Sequence, residues 1–313
     1  MYKTKKKKEE LLFSFILLIV SLVVFFFIFE GFFRIYLGSN LHYEYEDDLW
    51  FLKPNQKGFT YPNNEYATIN SEGYRGNLID PKKDTILFLG DSLVFGYAIG
   101  DNDTLTENLL KEFEGNGDFN IINGGVPGYG ISQMIRLYTT KYAKYEPDYV
   151  VVSFIEADIF RQGEKDPNYS KRNFARKLIR ASSFIAFIKP RLEVFRQLIV
   201  GSEGLKTKNY DLFLENDMNK LKMFDEFLES RHITLILHPW IYGKDQSIFY
   251  DKVFNTSFNY KLNVLPNYYS FVFEEYLGEV EDLYVGDGHP SGIQNARLAE
   301  NMVDDLLDFV AKN

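Results

Sequence analysis

Hydrophobic positions fall along this chain in three patterns. The first is an unbroken run. Leu11 to Phe29 is 19 residues without a charge, rich in Leu, Ile, Val and Phe. At 1.5 Å per residue it spans about 28 Å, close to the roughly 30 Å hydrocarbon core of a bilayer. Lys3 and Lys5 to Lys8 precede it. Under the positive-inside rule this predicts a cytoplasmic tail over 1–10, one membrane helix over 11–33 and delivery of all that follows outside the cytoplasm. The run is longer than the apolar region of a cleaved signal peptide. Phe25–Phe27, Phe32 and Phe33 also stand where a cleavage site needs small residues. The expected location is the cell (inner) membrane, single-pass, with an extracytoplasmic C-terminal domain.

The second pattern is a set of short solid apolar runs, each ended by turn residues: Thr85–Leu89, Phe119–Ile122, Tyr149–Phe154 and Ile233–Leu237. Such runs predict strands buried on both faces. The third is helical spacing between them, over Asp103–Phe113, Ile131–Lys144, Leu212–Ser230 and Gly292–Val310. In the last, Ile293, Ala296, Ala299 and Met302 form one stripe. Strand–helix alternation predicts an α/β doubly wound parallel sheet over 68–313, and such sheets place their sites at the carboxyl ends of the strands. Residues 34–67 are polar, aromatic and turn-rich, and read as a linker.

Composition narrows the chemistry. Among 313 residues there is no cysteine, which excludes disulfides, thiolate metal sites and a cysteine nucleophile. The net charge of −9 argues against a nucleic-acid binder, but it is unevenly spread. Residues 1–10 carry +3 and residues 161–208 carry +8, leaving −20 elsewhere. The basic part belongs to an insert over about 160–210. There Phe174, Leu178, Ile185 and Ile188 fall near one helical face, and Arg176, Lys177, Arg180 and Lys189 elsewhere. This insert reads as a helical lid, as a contact for anionic headgroups, or as both. No His and carboxylate cluster has metal-ligand spacing, so neither metal nor cofactor is expected.

The sharpest local feature is Phe88-Leu89-Gly90-Asp91-Ser92-Leu93-Val94-Phe95-Gly96. A strand ends in Gly-Asp-Ser, which presents Ser92 where a nucleophile belongs. The bland alternative is a turn capped by Asp91. A serine nucleophile needs a base, and the chain has four histidines. His42 lies in the linker, His232 precedes a strand, and His238 ends one. His289 lies in Gly286-Asp287-Gly288-His289-Pro290-Ser291, directly before the last helix. Asp287 is close enough in sequence to orient its imidazole.

Together these segments resemble the SGNH (GDSL-type) hydrolase family. Four blocks match in order: Gly90-Asp91-Ser92; Asn123-Gly124-Gly125-Val126-Pro127-Gly128-Tyr129-Gly130; the stretch from Pro147 to Asp158; and Asp287-Gly288-His289-Pro290. Ile69-Asn70-Ser71-Glu72-Gly73-Tyr74-Arg75-Gly76 also resembles a segment of membrane-anchored members. The resemblance implies a flavodoxin-like sheet and hydrolysis or transfer of an ester-linked acyl group. Ser92 would be nucleophile, His289 base and Asp287 its orienter. The N–H groups of Ser92 and Gly128 would serve the oxyanion hole, and Asp91 is grouped with the oxyanion and substrate-binding residues. The partners implied are an envelope glycan or lipid ester and the membrane.

Two departures stand out. The third block normally ends in Asn-Asp, the Asn being an oxyanion donor, and here that position is Ala157. Loss of such a donor typically costs about 10²–10³ in rate. Either another donor replaces it, with Asn123 the candidate, or the enzyme is slow or suited to an activated donor, or the site binds without turnover. The family's Asp often lies three residues before its His, where this chain has Gly286. The expected activity is a serine esterase acting on O-acyl esters. The alternatives are an O-acyltransferase on an envelope polysaccharide and a catalytically decayed binding protein.

Overall fold

In the computed structural model of the chain, the residues described are 2–37, 41–60, 65–114, 119–161, 210–241, 246–286 and 288–311, with 182, 184, 185 and 188. A single helix, α1 (Tyr2–Leu37), opens the chain. Its stretch Glu10–Ile35 is long and apolar enough to cross a membrane. Strands lie within the 34–67 stretch that reads as a linker. They form two antiparallel hairpins, β1 (Tyr43–Glu46) with β2 (Leu49–Leu52), and β3 (Gln56–Thr60) with β4 (Glu65–Ile69). The alternation Tyr43-Glu44-Tyr45-Glu46 has the period of a half-buried strand, and its burial alternates accordingly.

The central sheet is α/β and entirely parallel. It contains β5 (Asp84–Gly90), β6 (Phe119–Gly125), β7 (Tyr149–Phe154), β8 (Thr234–Pro239) and β9 (Asn263–Val264), in the order β6-β5-β7-β8-β9. This is the flavodoxin-like order, with the chain switching direction about β5. Helices follow the strands: α2 (Ser92–Phe95), α3 (Leu105–Phe113), α4 (Ile131–Leu137), α5 (Tyr210–Glu229), α6 (Ser247–Tyr260) and α7 (Gly292–Ala311). The solid apolar runs are explained by cover on both faces. Leu87, Leu89, Val150, Val152, Leu235 and Leu237 pack toward Met134, Leu221 and Phe249 on one side. The alternate residues Ile86, Phe88, Val151 and Ile236 pack toward Leu105, Leu109 and Met302 on the other.

The helix expected over Ile131–Lys144 stops being α-helical at Leu137 and continues as a π turn over Tyr138–Tyr142. Thr139 and Thr140 hydroxyls both donate to the Arg136 carbonyl, at 3.0 and 2.7 Å. They compete for the acceptor that the regular helix ladder would use. Most of the basic insert, including its charged face, lies outside the described residues. Ser182 and Phe184, which belong to it, lie against α1. Ser182 Oγ and the Phe184 N–H donate to Glu30 at 2.6 and 3.1 Å.

Candidate active site

Ser92 occupies the first position of α2, immediately beyond the carboxyl end of β5. The turn is tight because Gly90 has almost no room beside it. A Cβ there would lie 2.9 Å from the Ser153 carbonyl oxygen and closer still to Val94. Asp91 caps the short helix, its Oδ1 accepting from the Leu93 N–H at 2.9 Å. Its Oδ2 is 3.5 Å from Ser92 Oγ. Asp91 is thus buried, with Oδ1 on the Leu93 N–H and Oδ2 between Ser92 Oγ and Arg161.

His289 comes from the far end of the chain, 197 residues away, and its Nε2 lies 2.8 Å from Ser92 Oγ. The loop that carries it is closed on itself: the Val285 N–H donates to the His289 carbonyl at 2.8 Å, and the Gly288 N–H donates to the Val285 carbonyl at 2.8 Å. The Tyr97 ring stands 5.3 Å from the imidazole. Both Ser92 and His289 are half-buried. Asp287 lies outside the described residues.

Gly128 sits in the loop after β6 with φ +87°, a conformation that favours glycine. This loop is tied to the serine turn by the Val126 N–H, which donates to the Gly90 carbonyl at 3.0 Å. It is also clamped from above by β2. Trp50 Nε1 donates to the Pro127 carbonyl at 3.2 Å, the Tyr129 hydroxyl donates to the Trp50 carbonyl at 2.8 Å, and the two rings meet edge to face at 4.9 Å. Trp50 went unnoticed in sequence because it lies in the stretch read as a linker; the solid apolar run Leu49-Trp50-Phe51-Leu52 was the available signal.

Ala157 is half-buried in the 3₁₀ turn after β7 and packs against the core, offering no donor. The Asn123 amide nitrogen donates to the Val94 carbonyl at 2.7 Å and to Thr106 Oγ1 at 3.0 Å, and its Oδ1 accepts from the Gly125 N–H. Its amide hydrogens are thus engaged by α2, through Val94, and by α3, through Thr106. Asp158, next in sequence, is fully buried, and burial pushes its carboxyl well above the usual range, with the nearby Asp91 charge adding to the effect.

Two further residues shape the site. Arg161 Nη1 donates to Asp91 Oδ2 at 2.8 Å, to Asp158 and to the Tyr129 carbonyl at 3.2 Å. Arg75, 2% exposed, donates to the carbonyls of Phe95, Gly96 and Ile99 and to Asp101, holding the chain that leaves α2. Among the other histidines, His238 is buried, with Nδ1 2.8 Å from Ser153 Oγ, and burial lowers its pKa to about 3. His42 and His232 are exposed.

No family model and no curated protein matches the sequence. Solved structures do. A psychrotrophic esterase from Pseudoalteromonas is 16% identical, with a TM-score of 0.44 over 74% of this chain and 100% of that one. A lipase/acylhydrolase from Enterococcus faecalis is 15% identical, with a TM-score of 0.43 over 71% and 96%. A Geobacillus acetyl-xylooligosaccharide esterase is 13% identical, with a TM-score of 0.45 over 71% and 94%.

Proposed function

We propose that the chain is a membrane-anchored serine ester hydrolase of the SGNH type, acting outside the cytoplasm on O-acyl esters of an envelope glycan or lipid. The observation that carries this is the 2.8 Å contact between His289 Nε2 and Ser92 Oγ at the carboxyl end of β5. That distance is the one a general base needs to take a hydroxyl proton. In the reaction Ser92 Oγ attacks the acyl carbon while its proton passes to His289 Nε2. The oxyanion is met by the backbone N–H groups of Ser92 and Gly128. Collapse expels the alcohol, which takes the proton from His289. Water, activated by the same imidazole, then releases the acid. Asp287 is assigned the orienting role by the sequence motif. A sugar hydroxyl in place of that water would make the same site an O-acyltransferase.

A second reading has its own support. Ala157 supplies no oxyanion donor and Asn123 is engaged elsewhere, which favours a site that holds its ligand without turning it over. A fluorophosphonate probe separates the two. Labelling of the detergent-solubilised chain that disappears in Ser92→Ala and in His289→Ala is the expected result. A folded parent that neither labels nor hydrolyses an aryl acetate would leave the binding-protein reading standing.

A further inference from the structure

The serine site contains a negative charge that its own chemistry opposes. Asp91 Oδ2 is 3.5 Å from Ser92 Oγ, and Asp91 is 2% exposed, so water does little to screen it. Attack on an acyl carbon builds further negative charge beside Ser92, and a bare carboxylate at that range raises the barrier. In this chain the problem is sharper, because position 157 offers no side-chain N–H to offset it.

Arg161 stands on the other side of that carboxylate. Its Nη1 donates to Asp91 Oδ2 at 2.8 Å, the same oxygen that faces Ser92. The same nitrogen reaches the buried Asp158, which in turn accepts from the Ile155 N–H at 3.0 Å. It also meets the Tyr129 carbonyl, next to Gly128. One cation therefore joins the serine turn, the Gly128 loop and the turn after β7.

We propose that Arg161 is a positioning residue of the serine site: its guanidinium pins Asp91 against the turn that presents Ser92, and it cancels a charge that would otherwise oppose the oxyanion. The inference rests on the reading of Ser92 as nucleophile. Arg161 acts through Asp91 and not on the substrate, so its effect must depend on the Asp91 charge. A purely structural brace holding Tyr129 and Asp158 would not depend on it.

The test uses the full chain in detergent. The rate of fluorophosphonate inactivation and the kcat and KM for an aryl acetate are measured for Arg161→Gln, Arg161→Lys, Asp91→Asn and the pair Asp91→Asn/Arg161→Gln, with thermal unfolding of each. Arg161→Gln is expected to lower inactivation and kcat about tenfold or more with KM nearly unchanged, and Arg161→Lys to recover most of the loss. In the Asp91→Asn background the same Arg161→Gln change is expected to cost less than about threefold. An equal loss in both backgrounds, or parent rates in Arg161→Gln, overturns the inference and leaves the serine reading intact. A parent that does not label overturns both. Should Arg161→Gln alone not fold, the paired variant decides: activity within about threefold of Asp91→Asn supports the inference, and a tenfold loss overturns it.

Discussion

At position 157 one methyl group stands where the resemblance leads one to look for an amide. The consequence can be read in rate. If the hole is short of a donor, Ala157→Asn is expected to raise aryl acetate turnover about tenfold or more, the inverse of the usual cost of deleting such a donor. An unchanged kcat in a folded variant would mean that the oxyanion is already fully met by other groups. The neighbouring residues show what sequence could and could not carry. Ser92 and His289 were legible because a strand end and a helix start are each marked by Gly in short motifs. For Asn123 the motif gives position along the chain but not direction. Its amide is claimed by one acceptor in α2 and another in α3. Arg161 gave no signal, since its partners are 70 and 3 residues away. In sequence it is only the first cation of a basic stretch.

At the scale of elements, the strands were the easiest to read, because burial on both faces leaves no polar interruption. β9, two residues long, is too short to make any pattern. α6 was missed because its apolar residues do not all face inward: Ile248, Phe254 and Phe258 are exposed while Phe249 and Val253 are buried. α5 supports a prediction of its own. Asp225 is half-buried there, and burial, with Glu229 and Glu226 beside it, pushes its pKa from 3.8 to about 6. Between those values the folded chain holds a proton that the unfolded chain has released. Stability contributed at this residue therefore falls as pH rises through that window, and the full penalty stands above it. Asp225→Asn is expected to raise the Tm relative to the parent at pH 7 and to leave it nearly unchanged at pH 4 (where both forms are largely neutral in the folded state). A Tm gain at pH 4 as large as that at pH 7 would refute the assignment.

For the molecule as a whole, the charge of −9 is less informative than its division along the chain. The +3 tail, the apolar helix and an acidic body fit a protein held at one face of a bilayer, the topology proposed above. The full chain is expected to stay with membranes through an alkaline carbonate wash and to leave them in detergent; release by carbonate alone would rule out an integral anchor. Two residues of the insert are docked on that helix. Glu30 of α1 accepts from Ser182 Oγ and the Phe184 N–H, and the Phe184 ring lies 5.5 to 5.8 Å from the rings of Phe26, Phe29 and Phe33. A leash would let the site sweep a hemisphere above the bilayer. In the topology proposed above, a helix docked in this way would make the search for substrate two-dimensional: the site would drift in the membrane plane, and only esters lying in a thin layer would come within its reach.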